Sequence, residues 1–289
     1  MTLQRIDVLI SEALEIEARE AREAGALGYM ARALTLATMP HRRTLENEFE
    51  RRNGSFTLTM LAPSRVGLPY GSVPRLLVAW LTTEAVRTRD RRIELGDTLS
   101  QFMTQLDLVP TGGRWGTITR LREQMQRLFA ASVSCTYEDG NRWSMDSVRV
   151  AERADLWWSP RTPEQVALWR SVVVLGERFY EEAIQSPVPI DMRALKALRR
   201  SPMALDIYCW LTHRMSYLRR PTVIPWGALQ TQFGSDYRLT RQFKAKFLHQ
   251  LAAVVAVYPE ARVSEAESGL QLKPSPPHVA GETRRLTTS

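Results

Sequence analysis

Cysteine is nearly absent from this 289-residue chain, which has only Cys135 and Cys209. Two thiols so far apart cannot staple a small scaffold, and they suit a reduced, cytoplasmic protein better than a secreted one. Long apolar runs are missing too. "LAAVVAV" (Leu251 to Val257) falls far short of the ~20 residues that a membrane span needs. The acidic N-terminus has neither the apolar core nor the small-residue cleavage site of a signal peptide. Histidine is scarce: His41, His213, His249 and His278 are scattered, with no pair at metal-binding spacing. No G-x-x-x-x-G-K-[ST] occurs, so there is no ATP-binding loop of that kind, and no G-x-G-x-x-G precedes a helix. A His-x-His pair or a cluster of acidic ligands, as a metal nuclease would need, is also missing. The pair Glu181-Glu182 reads as solvated. These absences argue against catalysis, a metal site or a bound cofactor.

Lysine is rare as well, with only Lys196, Lys244, Lys246 and Lys273, yet the net charge is +8 and the pI about 9.9, because arginine is abundant. A basic balance suits a polyanionic partner. Arginine codons in a GC-rich genome would give the same total, so the distribution is the more telling feature. No Glu occurs between Glu182 and Glu260, a span that holds Arg199, Arg200, Arg214, Arg219, Arg220, Arg238, Arg241, Lys244 and Lys246. The first thirty residues lean the other way, with Asp7, Glu12, Glu15, Glu17, Glu20 and Glu23 against three arginines. Segregation of this kind marks a face that meets phosphate.

Two stretches are alike: "WLTTEAVRTRDRRIELG" from Trp80 and "WLTHRMSYLRRPTVIPWG" from Trp210. What surrounds them also matches. After "GSFTLTMLAP", which alternates like a strand, Pro74 opens a helix whose apolar positions Leu76, Leu77, Trp80, Leu81 and Val86 keep mostly to one face. "RRIEL" then reads as a strand, "DTLSQFMTQLDL" as a short helix capped by Asp97 or Thr98, and "TITRLREQMQRLFA" as a third helix. "SVSCTYEDGNRWSMDSV" reads as a hairpin turning at Asp139-Gly140. Beyond a Pro-rich joint, "WWSPRTPEQ", "VALWRSVVVL" reads as a strand. The order then recurs in "SPMALDIYCWLTHRMSYL", "TVIPW", "GALQTQFG", "YRLTRQFKAKFLHQLAAVVAVY" and the hairpin "ARVSEAESGLQLKP". Helix, strand, helix, turn, helix and hairpin is the plan of a winged helix. The fold class expected is α+β, mainly α: two tandem winged-helix domains with an N-terminal helical arm. The arm spans 1–54, the domains 55–157 and 164–274, and a disordered tail 275–289.

In the last long helix Leu239, Phe243, Phe247 and Leu251 form the stripe expected to be buried. The opposite side carries Arg238, Thr240, Arg241, Gln242, Lys246 and His249, with Lys244 at its edge. Arg can grip guanine O6 and N7, Gln can grip adenine N6 and N7, and Lys needs only a phosphate. The corresponding helix of the first half offers Thr119, Arg120, Glu123 and Arg127, with Arg122 to one side. Arg114 stands ahead of it, beside Trp115, which reads as core. Trp157-Trp158 is expected between the domains. Solvated helix faces look much the same, so it is the place of these residues, after a short helix and before a hairpin, that makes them DNA-binding candidates.

At "LPYGSVPRLLVAWLTTEAVRTRDRRIELGDTLSQFMTQLDL", "GGRWGTITRLREQMQRLF" and the second module up to Lys273, the sequence resembles the plasmid-encoded RepA family of replication initiators. The resemblance implies binding of double-stranded repeats (iterons) at a plasmid origin and help in opening the adjacent AT-rich DNA. It further implies host helicase and primosome proteins as partners, and a dimer in equilibrium with a monomer. The alternative is a dimeric winged-helix transcription regulator on a palindromic operator.

Overall fold

The computed structural model describes residues 27–138, 141–159, 161–165, 170–234 and 237–279. The helix expected in the first 26 residues, the turn at Asp139-Gly140 and the tail from residue 280 lie outside the described residues. In chain order the elements are β1 (Leu27–Met30), α1 (Arg32–Leu36), β2 (Glu48–Asn53), β3 (Phe56–Leu61), α2 (Ser72–Thr88), β4 (Arg92–Glu94), α3 (Leu99–Gln105), α4 (Thr117–Ala130), β5 (Ser132–Glu138), β6 (Trp143–Val148), β7 (Ala151–Asp155) and β8 (Val172–Leu175). Then follow α5 (Glu177–Gln185), β9 (Val188–Asp191), α6 (Met192–Ala197), α7 (Pro202–Tyr217), β10 (Thr222–Pro225), α8 (Trp226–Phe233), α9 (Thr240–Val257), β11 (Val263–Ala266) and β12 (Gly269–Leu272). The fold is mixed α and β.

The two Trp-Leu-Thr boxes hold equivalent places. Trp80 on α2 meets Phe102 of α3 edge-on, at 5.0 Å and 83°, and Trp210 on α7 meets Phe233 of α8 at 5.4 Å and 78°. Edge-on contact sets the positive rim of one ring against the negative face of the other and adds to the burial of both. Thr98 caps α3 by accepting from the Gln101 amide, and Ser201 caps α7 by accepting from the Ala204 amide. Helix α2 is not buried on one face alone: everything from Val73 to Thr82 is buried. Its neighbours are β1, α4, α5 and α7, which surround it, and a helix enclosed in this way needs apolar residues all round.

The strands depart from expectation in an informative way. In the second half β12 lies between β10 and β11, all antiparallel. The same order recurs in the first half as β4, β8, β7, also antiparallel. The expected hairpin, β5 with β6, forms, but it extends a separate four-stranded sheet of order β2, β3, β5, β6. The hairpin that corresponds to β11–β12 is therefore β7–β8. "WWSPRTPEQ" is its loop and not a joint between halves, and the strand expected to open the second half closes the sheet of the first. The loop folds back onto α3: Trp158 is buried with its ring 5.1 Å from Phe102, and the Ser100 hydroxyl hydrogen-bonds Glu164. Trp157, expected with Trp158 between domains, is 56% exposed.

The described part of the expected arm is woven into the body. β1 pairs antiparallel with β9, and β2 with β3. The Thr38 hydroxyl donates to the Gln232 carbonyl, and Met30, Ala31, Ala37 and Met39 are buried. Glu182, read as solvated, accepts from the Ala33 amide at 2.6 Å at the start of α1, and burial raises its pKa. The expected tail is tied down at its start: the Tyr258 hydroxyl donates to the Pro276 carbonyl, and the His278 ring stacks on Tyr258 at 4.9 Å. Both thiols are unpaired, and burial pushes that of Cys135 up to about 12. No helix among the described residues is long and apolar enough to cross a membrane.

Candidate nucleic-acid interface

Helix α9 is positioned from its inner face. Phe243 and Phe247 are fully buried, and Leu251 nearly so. Phe247 meets Phe233 at 5.5 Å and Trp226 at 6.1 Å, which locks α9 to α8. The turn between the two helices is clasped by one side chain. Gln230 donates through Nε2 to the Tyr237 carbonyl at 2.7 Å and accepts through Oε1 from the Thr240 hydroxyl at 2.7 Å. Gly234 fits because a Cβ there would overlap the Phe243 ring. Leu239 departs from the expected buried stripe: it precedes the first turn of α9 and is 44% exposed.

The outer face of α9 then follows from the 3.6-residue period. Arg238, Thr240, Arg241, Gln242 and Lys246 are exposed, and His249 is half-buried. Among the described residues no carboxylate forms an ion pair with Arg238, Arg241 or Lys246, so their charge faces solvent. Two of the candidates are committed elsewhere. Thr240 is held by Gln230. Lys244 pairs with Glu265 of β11 at 2.6 Å, and its ammonium lies 5.0 Å from the centre of the Trp226 ring. It ties the helix to its hairpin.

The corresponding face of α4 is smaller than expected. Thr119, Arg120 and Arg122 are exposed, and the Thr119 hydroxyl donates to the Gly113 carbonyl. Arg127, expected outward, turns in. It pairs with Glu123 at 2.7 Å, donates to the Leu68 carbonyl at 3.1 Å and lies over the Tyr70 ring. A guanidinium presents donors in a fixed fork, and here the Leu68 carbonyl and the half-exposed Glu123 carboxylate take them. Trp115, read as core, is 82% exposed, with the Arg114 guanidinium 5.1 Å above its ring.

The structure thus brings Arg241, Gln242 and Lys246 together on the outer side of α9 with Arg238 just ahead of its first turn, places Arg114, Thr119 and Arg120 at the start of another helix, and turns Arg127 inward. The Gln230 clasp and the Lys244–Glu265 pair carry no sequence signal beyond their residue types, because each joins elements whose docking has to be known first. Among the described residues no group of His, Cys, Asp and Glu is assembled that could hold a metal ion.

The sequence profile of the family described as plasmid-encoded RepA protein matches residues 68–227, more than half of the chain. The match includes α4 and ends before α9. No curated protein matches the chain. Solved structures do. A crystal structure of RctB domains 2-3 is 12% identical, covers 84% of this chain and 96% of its own, and has a TM-score of 0.51. A selenomethionine derivative of RctB domains 2 and 3 is 11% identical, covers 84% and 98%, and has a TM-score of 0.55. At such identity the likeness is one of fold.

Proposed function

The chain belongs to the plasmid-encoded RepA family of replication initiators, and from that premise we propose that it binds repeated duplex sequences at a plasmid origin and starts replication there. The observation that carries the reading is the outer face of α9, with Arg241, Gln242 and Lys246 exposed on it, Arg238 exposed just ahead of it, and none of the three cations paired with any described carboxylate. In this reading each half is a winged helix. One comprises α2, β4, α3, α4 and the β7–β8 hairpin, and the other α7, β10, α8, α9 and β11–β12. Helices α9 and α4 enter the major groove while the hairpins lie along the backbone.

Arg241 and Gln242 sit in the first turn of α9, where base edges come within reach. Arg238 and Lys246, to either side, are placed for phosphates. Contacts to phosphate set register and affinity, and contacts to base edges set sequence. Arg114 and Arg120 do the same work more weakly for α4, while the Thr119 hydroxyl is given to the Gly113 carbonyl. Two such helices on one chain read successive major grooves, about one turn (~34 Å) apart, so the natural target is a direct repeat and not a palindrome. The protein performs no chemistry in this scheme. Opening of the adjacent duplex draws on binding energy from several bound copies and on recruited host helicase and primosome proteins. A dimer–monomer equilibrium decides how many copies are competent.

Fluorescence anisotropy with a labelled origin repeat and a scrambled duplex of equal length tests the reading. The expected result is tighter binding to the repeat by a factor of about 10³ or more at physiological salt. Equal affinity for both duplexes would remove sequence-specific initiation.

A further inference from the structure

The loop that delivers the chain into α4, residues 108–116, exposes an indole on a rigid mount. Thr111 and Thr117 clasp each other: each backbone amide donates to the other's hydroxyl oxygen at 2.9 Å. The Gly116 amide donates to the Gly113 carbonyl, and the Thr119 hydroxyl donates to the same carbonyl. Two glycines make this closure possible. Gly113 has φ +86, and a Cβ on Gly116 would overlap the Thr111 carbonyl oxygen. A loop so tightly bonded could have folded its largest side chain inward. It instead leaves Trp115 82% exposed.

One face of the indole is taken by the Arg114 guanidinium. The surroundings say what fits the rest. No Asp or Glu occurs from Leu108 to Arg122, and the stretch carries three exposed arginines, Arg114 against the ring and Arg120 and Arg122 in the first turns of α4. The amino end of α4 adds its partial positive charge at the same place. An aromatic plane set among cations fits a nucleobase with its phosphate: the ring takes the base face, and the cations take the backbone.

We propose that Trp115 is a stacking platform for a base displaced from the duplex at the edge of the DNA bound by α4. This rests on the DNA-binding reading above and deepens it: the ligand is an unstacked base within otherwise double-stranded DNA. Inserted apolar side chains unstack base steps and kink the duplex in other DNA-binding proteins, and an aromatic ring that is already ordered loses little freedom in doing so. Arg114 holds the indole from behind and neutralises the nearest phosphate.

The test is permanganate reactivity of thymines in a bound origin duplex, measured for the wild type, Trp115→Ala and Trp115→Phe alongside anisotropy on the same DNA. The wild type is expected to raise the reactivity of one or two thymines at the α4 side of the site. Trp115→Ala should lower that signal about tenfold while duplex affinity changes only a few-fold, and Trp115→Phe should keep part of it. Because the indole is exposed, its removal leaves the core intact. Equal reactivity with wild type and Trp115→Ala overturns the proposal. Wild-type binding with no reactive thymine overturns it too. Failure of the wild type to bind duplex is a different result, and removes the DNA-binding reading itself.

Discussion

Arg75 of α2 grips Asp206 of α7 with two parallel hydrogen bonds, Nε to Oδ1 at 2.6 Å and Nη2 to Oδ2 at 2.7 Å, in a site almost closed to water. The pair joins the two helices that carry the Trp-Leu-Thr boxes. His41 adds a third contact to the carboxylate, Nε2 to Oδ2 at 2.7 Å, and the Met39 carbonyl takes another donor from Arg75. Burial alone would disfavour the Asp206 charge, but Arg75 and His41 outweigh it and hold the carboxyl below its usual range.

Breaking this pair from one side strands the other charge. Asp206→Ala is therefore expected to destabilise the protein by about 3–5 kcal/mol, and replacing both partners with apolar residues by much less. Urea unfolding of the single and double variants measures it.

On α9 the expected effects differ by residue. Arg241→Ala and Gln242→Ala should each weaken binding to the origin repeat by about 1–3 kcal/mol and relax specificity at one position. Lys246→Ala should weaken all duplexes alike and lower the salt slope by about one. Lys244→Ala should act through the hairpin it holds, and Glu265→Gln should reproduce part of its effect. Anisotropy across a salt series on specific and scrambled DNA separates the three patterns.

Arg127 makes a control. Its guanidinium is spent on Glu123 and the Leu68 carbonyl, so Arg127→Ala should lower stability by about 1–3 kcal/mol, the cost of stranding the buried Leu68 carbonyl. The salt slope of DNA binding should stay unchanged, as checked on folded protein below its melting temperature.

What the sequence disclosed, and what it hid, follows from the range of the interactions. Helix α9 was legible because it carries its buried residues at helical spacing, α2 and α7 because each is a long apolar run opened by a proline, and both Trp-Leu-Thr boxes mark the ring that meets the next helix. The pairing of β4 with β8 was not legible: it joins Ile93 to Val173 across some eighty intervening residues, and the nearer β5–β6 pattern looked like the obvious candidate. Arg127 misled because a helical wheel places charge outward, while its acceptor, the Leu68 carbonyl, comes from a distant loop. Trp115 misled for the opposite reason. Large aromatics usually pack, and nothing in the local sequence says that this one stays exposed. Of the candidate DNA-binding set on α9, Arg241, Gln242 and Lys246 are exposed, Arg238 lies just ahead of the helix, His249 is half-buried, and Thr240 and Lys244 have structural duties.

The C-terminal segment should make stability depend on pH. The Tyr208 hydroxyl accepts from the Asp191 amide, which leaves its single hydrogen for Nδ1 of His278 at 2.8 Å. Burial, with Arg193 adding to it, lowers the His278 pKa to about 4, although Asp191 pulls the other way. The unfolded chain takes up a proton near pH 6.5 and the folded protein only near 4. The contribution is thus fully present above about 6.5 and lost as pH falls toward 4. Melting temperatures between pH 7 and pH 4.5 should fall more steeply for the wild type than for His278→Gln.

The most direct measurement is hydroxyl-radical footprinting of the purified protein on the origin of its own plasmid. The expected pattern is several direct repeats, each protected at two successive major grooves on one side of the duplex, with the groove assigned to α9 lost in the Arg241→Ala protein. A single protected palindrome, or protection unchanged by Arg241→Ala, would contradict an initiator that reads repeats through α9.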